Sequence, residues 1–120
     1  METLPEILAL KSLRINPAET EHAIHRAIKS VLSENGISFF YERDLAPRCR
    51  IDFLTKNGVG IEVKKGKPNS SQVSRQIDRY CSSDDVLAIV LVVERNIWCL
   101  PNPPKPVYYV SLSTNWGIAL

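Results

Sequence analysis

The first strong pattern in the chain is an apolar stripe at helical spacing. Its members, three or four residues apart, are Ile24, Ile28, Val31 and Leu32. Asn16 suits an N-cap, Pro17 suits the first helical position and Glu19 completes a capping box. A helix is therefore predicted from Pro17 to just before Gly36. Residues 1–15 show no such pattern and are predicted to form an N-terminal arm or a short helical turn, ahead of a single domain over residues 16–120.

After this helix the pattern changes to short strand-like segments. Ser38 to Asp44 predicts a strand with Phe40 in the core, and strands at 50–54 and 60–64 follow, joined by a turn at Lys56-Asn57-Gly58.

A second helix is predicted with Asn69 as its N-cap and Gln72 at the third helical position. Its apolar stripe is Val73, Ile77 and Tyr80. Val86 to Val93 is apolar on both alternating faces, as in a strand buried between layers, which predicts a right-handed parallel crossover. Two shorter strands are predicted at 97–100 and 107–112. The expected fold class is α/β, in the order helix-strand-strand-strand-helix-strand, with a mixed central sheet and a short C-terminal strand pair.

Composition narrows the class without assigning a chemistry. The 120 residues suit one domain, and 44% apolar with 23% charged residues is an ordinary globular balance. Three cysteines without CxxC spacing indicate neither a disulfide framework nor a thiolate zinc site. No signal peptide is recognisable and no apolar run approaches the ~20 residues that span a bilayer. We therefore expect a soluble cytoplasmic protein with no membrane partner.

The candidate chemistry lies in two neighbouring strands. Asp52 and Glu62 each stand among large apolar residues, and Lys64 follows Glu62 by two positions. Carboxylates rarely occupy such segments unless a partner compensates them, and a divalent cation is one such partner. Mg²⁺ is the expected ion, with Mn²⁺ as its substitute, and the spacing indicates metal-assisted cleavage of a phosphodiester. Lys64 is expected to position the attacking water or to stabilise charge on phosphate oxygens.

Whether the two acids meet depends on the turn between their strands. A two-residue Asn57-Gly58 loop sets Asp52 opposite Val63, whereas a three-residue loop with Gly58 left-handed sets Asp52 opposite Glu62. We predict the three-residue loop. It would also bring Arg50 opposite Lys64.

These residues, Asp52 followed by Glu62-Val63-Lys64, resemble the PD-(D/E)xK nuclease superfamily, the fold of many restriction enzymes and of phage or archaeal Holliday-junction resolvases. The resemblance covers roughly residues 19–93, and the proline that usually precedes the Asp is replaced by Ile51. It implies that Asp52 and Glu62 bind Mg²⁺ with help from the Val63 carbonyl, and that Lys64 is catalytic. It also implies a metal-facing acid on the first helix, for which Glu21 is the best match.

Basic and amide side chains surround the acid pair in sequence. Nine of the 15 Lys and Arg lie between Arg43 and Arg79, against four of the 13 acids. This bias favours a surface that follows phosphates. Its expected members, together with amides near the site, are Arg48, Arg50, Lys65, Lys67, Gln72, Arg75, Gln76 and Arg79. Gln76 with Tyr80 resembles a Gln-xxx-Tyr feature of some branches of the superfamily, whereas His22 and His25 are expected on the helix surface.

The favoured function is a Mg²⁺-dependent endonuclease acting on DNA rather than RNA, in repair, recombination or phage and mobile-element biology. A chain this small has little surface for reading a base sequence. That favours recognition of DNA structure, a homodimer with two sites, or help from a partner. Two alternatives stay open: a non-catalytic nucleic-acid-binding module on the same fold, and a protein-interaction domain whose acids are simply paired to Arg50 and Lys64.

Overall fold

A computed structural model describes residues 4–94 and 102–117. The helices are α1 (Pro5–Lys11), α2 (Glu21–Glu34), α3 (Ser70–Cys81) and α4 (Leu112–Trp116). The strands are β1 (Phe39–Ala46), β2 (Cys49–Thr55), β3 (Val59–Lys64), β4 (Ala88–Val93) and β5 (Val107–Ser111). The fold is mixed α/β, as predicted, and the predicted order from the first helix to the buried strand corresponds to α2 through β4.

The five strands form one mixed sheet in the order β1-β2-β3-β4-β5. Strand β2 is antiparallel to both β1 and β3, whereas β4 lies parallel to β3 and β5 lies parallel to β4. The parallel crossover through α3 is therefore confirmed. A sheet with this order places the acid-bearing strands β2 and β3 near its centre.

Two apolar clusters pack on the sheet. One joins α1 and α2 to residues such as Phe53, Ile61 and Val63, and the other joins α3 to residues such as Ile51 and Leu91. The strands at the centre are thus covered on both faces, so any polar group between them is held in a largely water-free setting.

Helix α2 begins later than predicted. The Asn16 side chain accepts a hydrogen bond from the Ala18 N–H at 2.9 Å, which closes a local turn instead of starting the helix. Thr20 is the N-cap, with its hydroxyl accepting from the Ala23 N–H at 3.1 Å. The prediction for the next helix is confirmed: the side chain of Asn69 accepts from the Gln72 N–H at 3.0 Å.

The segment predicted to form an N-terminal arm or a short helical turn contains helix α1 and contributes to the core. Leu10 on α1 is fully buried, and so is Glu6, whose carboxylate accepts hydrogen bonds from the Thr55 hydroxyl at 2.7 Å and the Asn57 amide at 2.9 Å. These contacts tie α1 to the turn between β2 and β3. The sequence leaves an arm and a helical turn as alternatives here, because a seven-residue helix shows too few turns to display a period.

Two further expectations need correction. Phe40 is 43% exposed, because it points to the face of the edge strand β1 that α3 does not cover, while its neighbours Phe39 and Tyr41 pack on the core. The predicted strand at 107–112 ends at Ser111, whose hydroxyl accepts from the Thr114 N–H at 3.3 Å and starts α4. The strand predicted at 97–100 lies outside the described residues. No helix within the described ranges has the length and apolar character needed to cross a bilayer.

Candidate metal centre and its basic surroundings

The register predicted for the β2–β3 hairpin is confirmed. Phe53 pairs with Ile61 and Leu54 with Gly60, the phase that sets Asp52 across from Glu62. The turn is the expected three-residue loop, with Gly58 at φ +85° and its N–H donating to the Thr55 carbonyl at 3.0 Å.

Next to the Phe53–Ile61 pair, the carboxylates of Asp52 and Glu62 lie between β2 and β3. Oδ2 of Asp52 accepts from the Val63 N–H at 2.8 Å, and Oε1 of Glu62 accepts from the Asp52 N–H at 3.1 Å. Each acid is therefore fixed by the main chain of the opposite strand. Hydrogen bonds from backbone N–H groups stabilise the ionised form of a carboxylate. The two bonds therefore hold the carboxylates close together although their negative charges repel each other.

The alternation of side chains along β2 is interrupted at Asp52. Cys49 and Ile51 belong to the cluster under α3, whereas Phe53, two residues further on, belongs to the cluster under α2. On the neighbouring strand β1, Glu42 has φ +50°. Tyr41 and Arg43 on either side of it pair with residues of β2, whereas Glu42 does not. Asp52 thus lies where the side chains of β2 switch from the face covered by α3 to the face covered by α2. Groups from both sides of the sheet are therefore close to it.

Glu62 is the more deeply buried acid, with its side chain 7% exposed against 20% for Asp52. Burial, followed by the nearby Asp52 charge, raises the pKa of Glu62 to about 7, while Lys64 opposes the shift. Burial and the charge of Glu62 also raise the pKa of Tyr80 above its ordinary range. The hydroxyl of Tyr80 donates to the Arg50 carbonyl at 3.0 Å, so α3 is anchored beside the acid pair.

The Lys64 side chain lies beside Glu62. Its Nζ is 3.2 Å from Oε2 of Glu62, and its side chain is 21% exposed, so the ammonium group joins the buried acid to the solvent-accessible side of the sheet. Arg50, expected opposite Lys64, instead forms an exposed bond from Nε to Oδ1 of Asp44 at 2.9 Å. Of the two ion pairs expected in the protein-interaction alternative, the one between Lys64 and Glu62 is therefore present, whereas Arg50 contacts Asp44 and not Asp52.

His25 is the site residue that the sequence reading missed. It was expected on the helix surface, yet it is 5% exposed, with Nδ1 2.9 Å from the Tyr41 hydroxyl and Nε2 3.3 Å from Oδ2 of Asp52. The contact with Asp52 is at ion-pair distance without hydrogen-bond alignment, and Nε2 is buried with no hydrogen-bond partner. The interaction with Asp52 raises the pKa of His25, against the opposing effect of burial. The signal was available, because His25 precedes Ile28 and Leu32 by three and seven residues on the apolar stripe.

Glu21, expected to face the metal, is the exposed first residue of α2 and lies one turn before His25. The four-residue spacing places Glu21 on the same side of α2 as His25, and its negative charge contributes to raising the pKa of His25, after the larger effect of Asp52. No contact joins Glu21 to Asp52 or Glu62 among the described residues.

The donor set fits a hard cation with few protein ligands. The described part of the chain contains no group of three or more His, Cys, Asp or Glu side chains arranged as a metal cluster. Mg²⁺ commonly uses one or two carboxylates and completes its shell with water and phosphate oxygens. Two acids facing each other, one with a raised pKa, meet that requirement, and the main chain at Val63 lies against Asp52.

The predicted basic and amide residues of α3 converge beside the acids. An open cavity of about 380 Å³ is lined by Lys64, Gln72, Val73, Arg75, Gln76 and Arg79. Three of these side chains are cationic and none is acidic, so the cavity suits a phosphate group next to the Glu62–Lys64 pair.

The remaining predicted phosphate contacts are dispersed. Arg48 and Arg50 are exposed on the β1–β2 hairpin, and Lys67 is exposed in the loop before α3. Lys65 is engaged elsewhere, since its ammonium group contacts the Glu94 carboxylate and the Pro17 carbonyl. Lys65 thereby ties that loop to the segment before α2.

Comparison of the chain with family models, with curated proteins and with solved structures found no match in any of the three. The candidate function is therefore inferred from the geometry of the site.

Proposed function

We propose that this protein is a Mg²⁺-dependent nuclease of the PD-(D/E)xK type, acting on DNA. The observation that carries the proposal is the mutual bracing of Asp52 and Glu62 across β2 and β3, with the Lys64 ammonium 3.2 Å from Glu62. A purely structural acid pair in a covered sheet would be costly, since like charges at short range oppose each other's ionisation.

The order of elements supports the same proposal. The segment α2-β1-β2-β3-α3-β4 has the helix, three-strand, helix, strand succession expected of a restriction-endonuclease-like core. Asp52 and the Glu62-Val63-Lys64 run fall on its second and third strands.

Each side chain has a distinct task in the proposed reaction. Asp52 and Glu62, with the Val63 carbonyl, hold the cation, which when bound polarises the scissile phosphate and makes a water more acidic. Lys64 orients the attacking water and stabilises negative charge on the phosphate oxygens. His25 holds Asp52 in position from the α2 side, while Tyr80 supports β2 from α3.

The cationic cavity beside Lys64 supports a nucleic-acid substrate. Its small size and open shape favour contacts with the sugar-phosphate backbone over the reading of bases, as in a structure-selective or non-specific endonuclease such as a junction resolvase. Two copies in a homodimer would present two such sites to a branched or duplex substrate.

One observation favours a second candidate, a non-catalytic DNA-binding module on this fold. Lys64 compensates Glu62 and His25 contacts Asp52, so both acids have partners without a cation. A module of this kind would bind DNA equally with and without Mg²⁺.

The test is cleavage of a substrate panel by the purified protein with Mg²⁺, with Mn²⁺ or with a chelator. The panel contains a linear duplex, a single strand, a four-way junction and a structured RNA. We expect metal-dependent cutting of a DNA substrate that Asp52→Asn abolishes and that Asp84→Asn, an exposed acid away from the site, retains. Absence of cutting with either ion, or equal cutting by Asp52→Asn, would contradict the nuclease and favour the binding module.

A further inference from the structure

The turn between β1 and β2 places an arginine in an unfavourable backbone conformation. Ala46 pairs with Cys49, so Pro47 and Arg48 are the two turn residues, and Arg48 has φ +61°. A turn with Pro first and positive φ second favours Gly or Asn at the second position. This chain instead has a long cationic side chain there, exposed to solvent. Strain retained in this way is a reason to look for a function.

A second cation on the same hairpin, Arg43, stacks on a partly exposed aromatic ring. The Arg43 guanidinium lies over the ring of Phe40, 4.5 Å from its centre, and that ring is 43% exposed. Arg50 is neutralised by Asp44, so Arg43 and Arg48 carry the positive charge of this arm. Among the described residues no salt bridge joins Glu42, the other acid of this hairpin, to Arg43 or Arg48. An open cavity of about 790 Å³ lies along residues 44–50.

The hairpin and the cationic cavity of α3 flank the acid pair. Cys49 at the base of the hairpin packs with Val73 and Ile77 of α3, and the Tyr80 hydroxyl of α3 donates to the Arg50 carbonyl at 3.0 Å, so α3 lies beside the base of the hairpin. Arg48 stands four residues before Asp52, roughly 13 Å along an extended strand at 3.3 Å per residue. That span is close to the ~12 Å width of the DNA major groove. The spacing suits two phosphate backbones, one at the acid pair and one at Arg48 on the hairpin.

We propose that the β1–β2 hairpin is a second phosphate-binding arm, in which Arg48 and Arg43 contact the opposite strand of double-stranded DNA. The inference rests on the proposed function for the place of the cut, but binding by the arm does not require cutting. A single strand would occupy the α3 cavity alone and would gain nothing from the arm.

The test measures binding to a labelled duplex and to a single strand of the same sequence, in chelator so that nothing is cut. Arg48→Gly and Arg48→Asn remove the charge and fit the left-handed turn, so both should retain or raise the Tm. We expect each to weaken duplex binding about 10-fold, to reduce the salt dependence by about one phosphate contact, and to change single-strand binding less than about 2-fold. Lys56→Gln removes one exposed charge at the opposite end of β2 and should leave both affinities unchanged.

Equal weakening on both substrates, unchanged duplex affinity, or no duplex binding by the wild type would overturn the arm. Failure of the two proposals is distinguishable. A protein that binds duplex through Arg48 and never cuts keeps the arm and loses the nuclease. A protein that cuts while Arg48→Gly binds duplex normally keeps the nuclease and loses the arm.

Discussion

Oε1 of Glu62 accepts a hydrogen bond from the backbone N–H of Asp52 at 3.1 Å, so the two acids of the site are joined through the main chain of β2. This bond keeps the Glu62 carboxylate beside a like charge inside a covered sheet. The cost shows in the pKa of Glu62, which burial and the Asp52 charge raise to about 7. A metal-free site is therefore under electrostatic stress that a divalent cation would relieve.

Stability without metal should fall as pH rises. Between the ordinary Glu value of 4.5 and about 7, folded Glu62 keeps a proton that the unfolded chain releases, so folding is penalised increasingly through this window. The raised pKa of His25 acts in the same direction, and the comparison must therefore be between variants. Glu62→Gln should gain roughly 1–3 kcal/mol over wild type at pH 8 and little at pH 4.5, measured by denaturant unfolding in chelator.

Glu19→Gln, which alters an exposed acid, is the matched control and should show no such pH-dependent gain. At pH 8, Mg²⁺ should raise the Tm of wild type and not that of Glu62→Gln, because only the ionised acid pair attracts the ion. A pH-independent difference between Glu62→Gln and wild type would contradict the stress on this acid.

His25 should act as a positioning residue for Asp52. His25→Ala removes a buried ring packed against Tyr41 and Phe53 and should cost about 2 kcal/mol of unfolding free energy. It should also lower kcat at least 10-fold with little change in KM, since Asp52 loses its orientation and the DNA contacts remain. His25→Gln, whose amide keeps a polar group that can contact Asp52, should recover part of kcat.

The matched control for His25 is the exposed His22 on the same helix. His22→Ala should stay within about 0.5 kcal/mol of wild type in stability, with normal kcat. Loss of stability in His25→Ala without a change in kcat would reduce His25 to a packing residue.

Close packing of Gly60 against Ile51 should hold the hairpin in its register. A Cβ on Gly60 would lie 2.4 Å from Cδ1 of the fully buried Ile51. Gly60→Ala should therefore cost about 1–3 kcal/mol in denaturant unfolding. Ile51→Val removes the clashing methyl, so the double variant should be more stable than the sum of the single effects predicts. Strictly additive costs would show that the two residues do not share this contact.

The parts of the fold and site that were predictable have local causes. The three-residue turn with Gly58 determines the register of β2 and β3. The Asn69 side chain accepts a hydrogen bond from the Gln72 N–H three residues later and so starts α3. His25 was harder, because a histidine on an apolar stripe is buried only when another element, here β2 with Asp52, supplies a partner.

The differences between the sequence-based predictions and the structure also have physical explanations. Asn16 resembled a helix cap, yet its side chain closed a turn that local spacing alone did not distinguish from a cap. Phe40 was assigned to the core from its hydrophobicity, whereas its exposure depends on which strand forms the edge of the sheet. The role of Glu6 depends on contacts with Thr55 and Asn57, far away in sequence.

The most direct test of the central claim is the single-turnover cleavage rate of Lys64→Ala on the preferred DNA substrate, at saturating Mg²⁺. Lys64 is 3.2 Å from Glu62 and lines the cationic cavity, so its loss should lower the rate at least 100-fold. DNA affinity in chelator should fall no more than about 3-fold, as for Lys67→Ala, an exposed lysine of the neighbouring loop that should cut normally. Equal cleavage by Lys64→Ala and wild type would contradict the assignment of the active site.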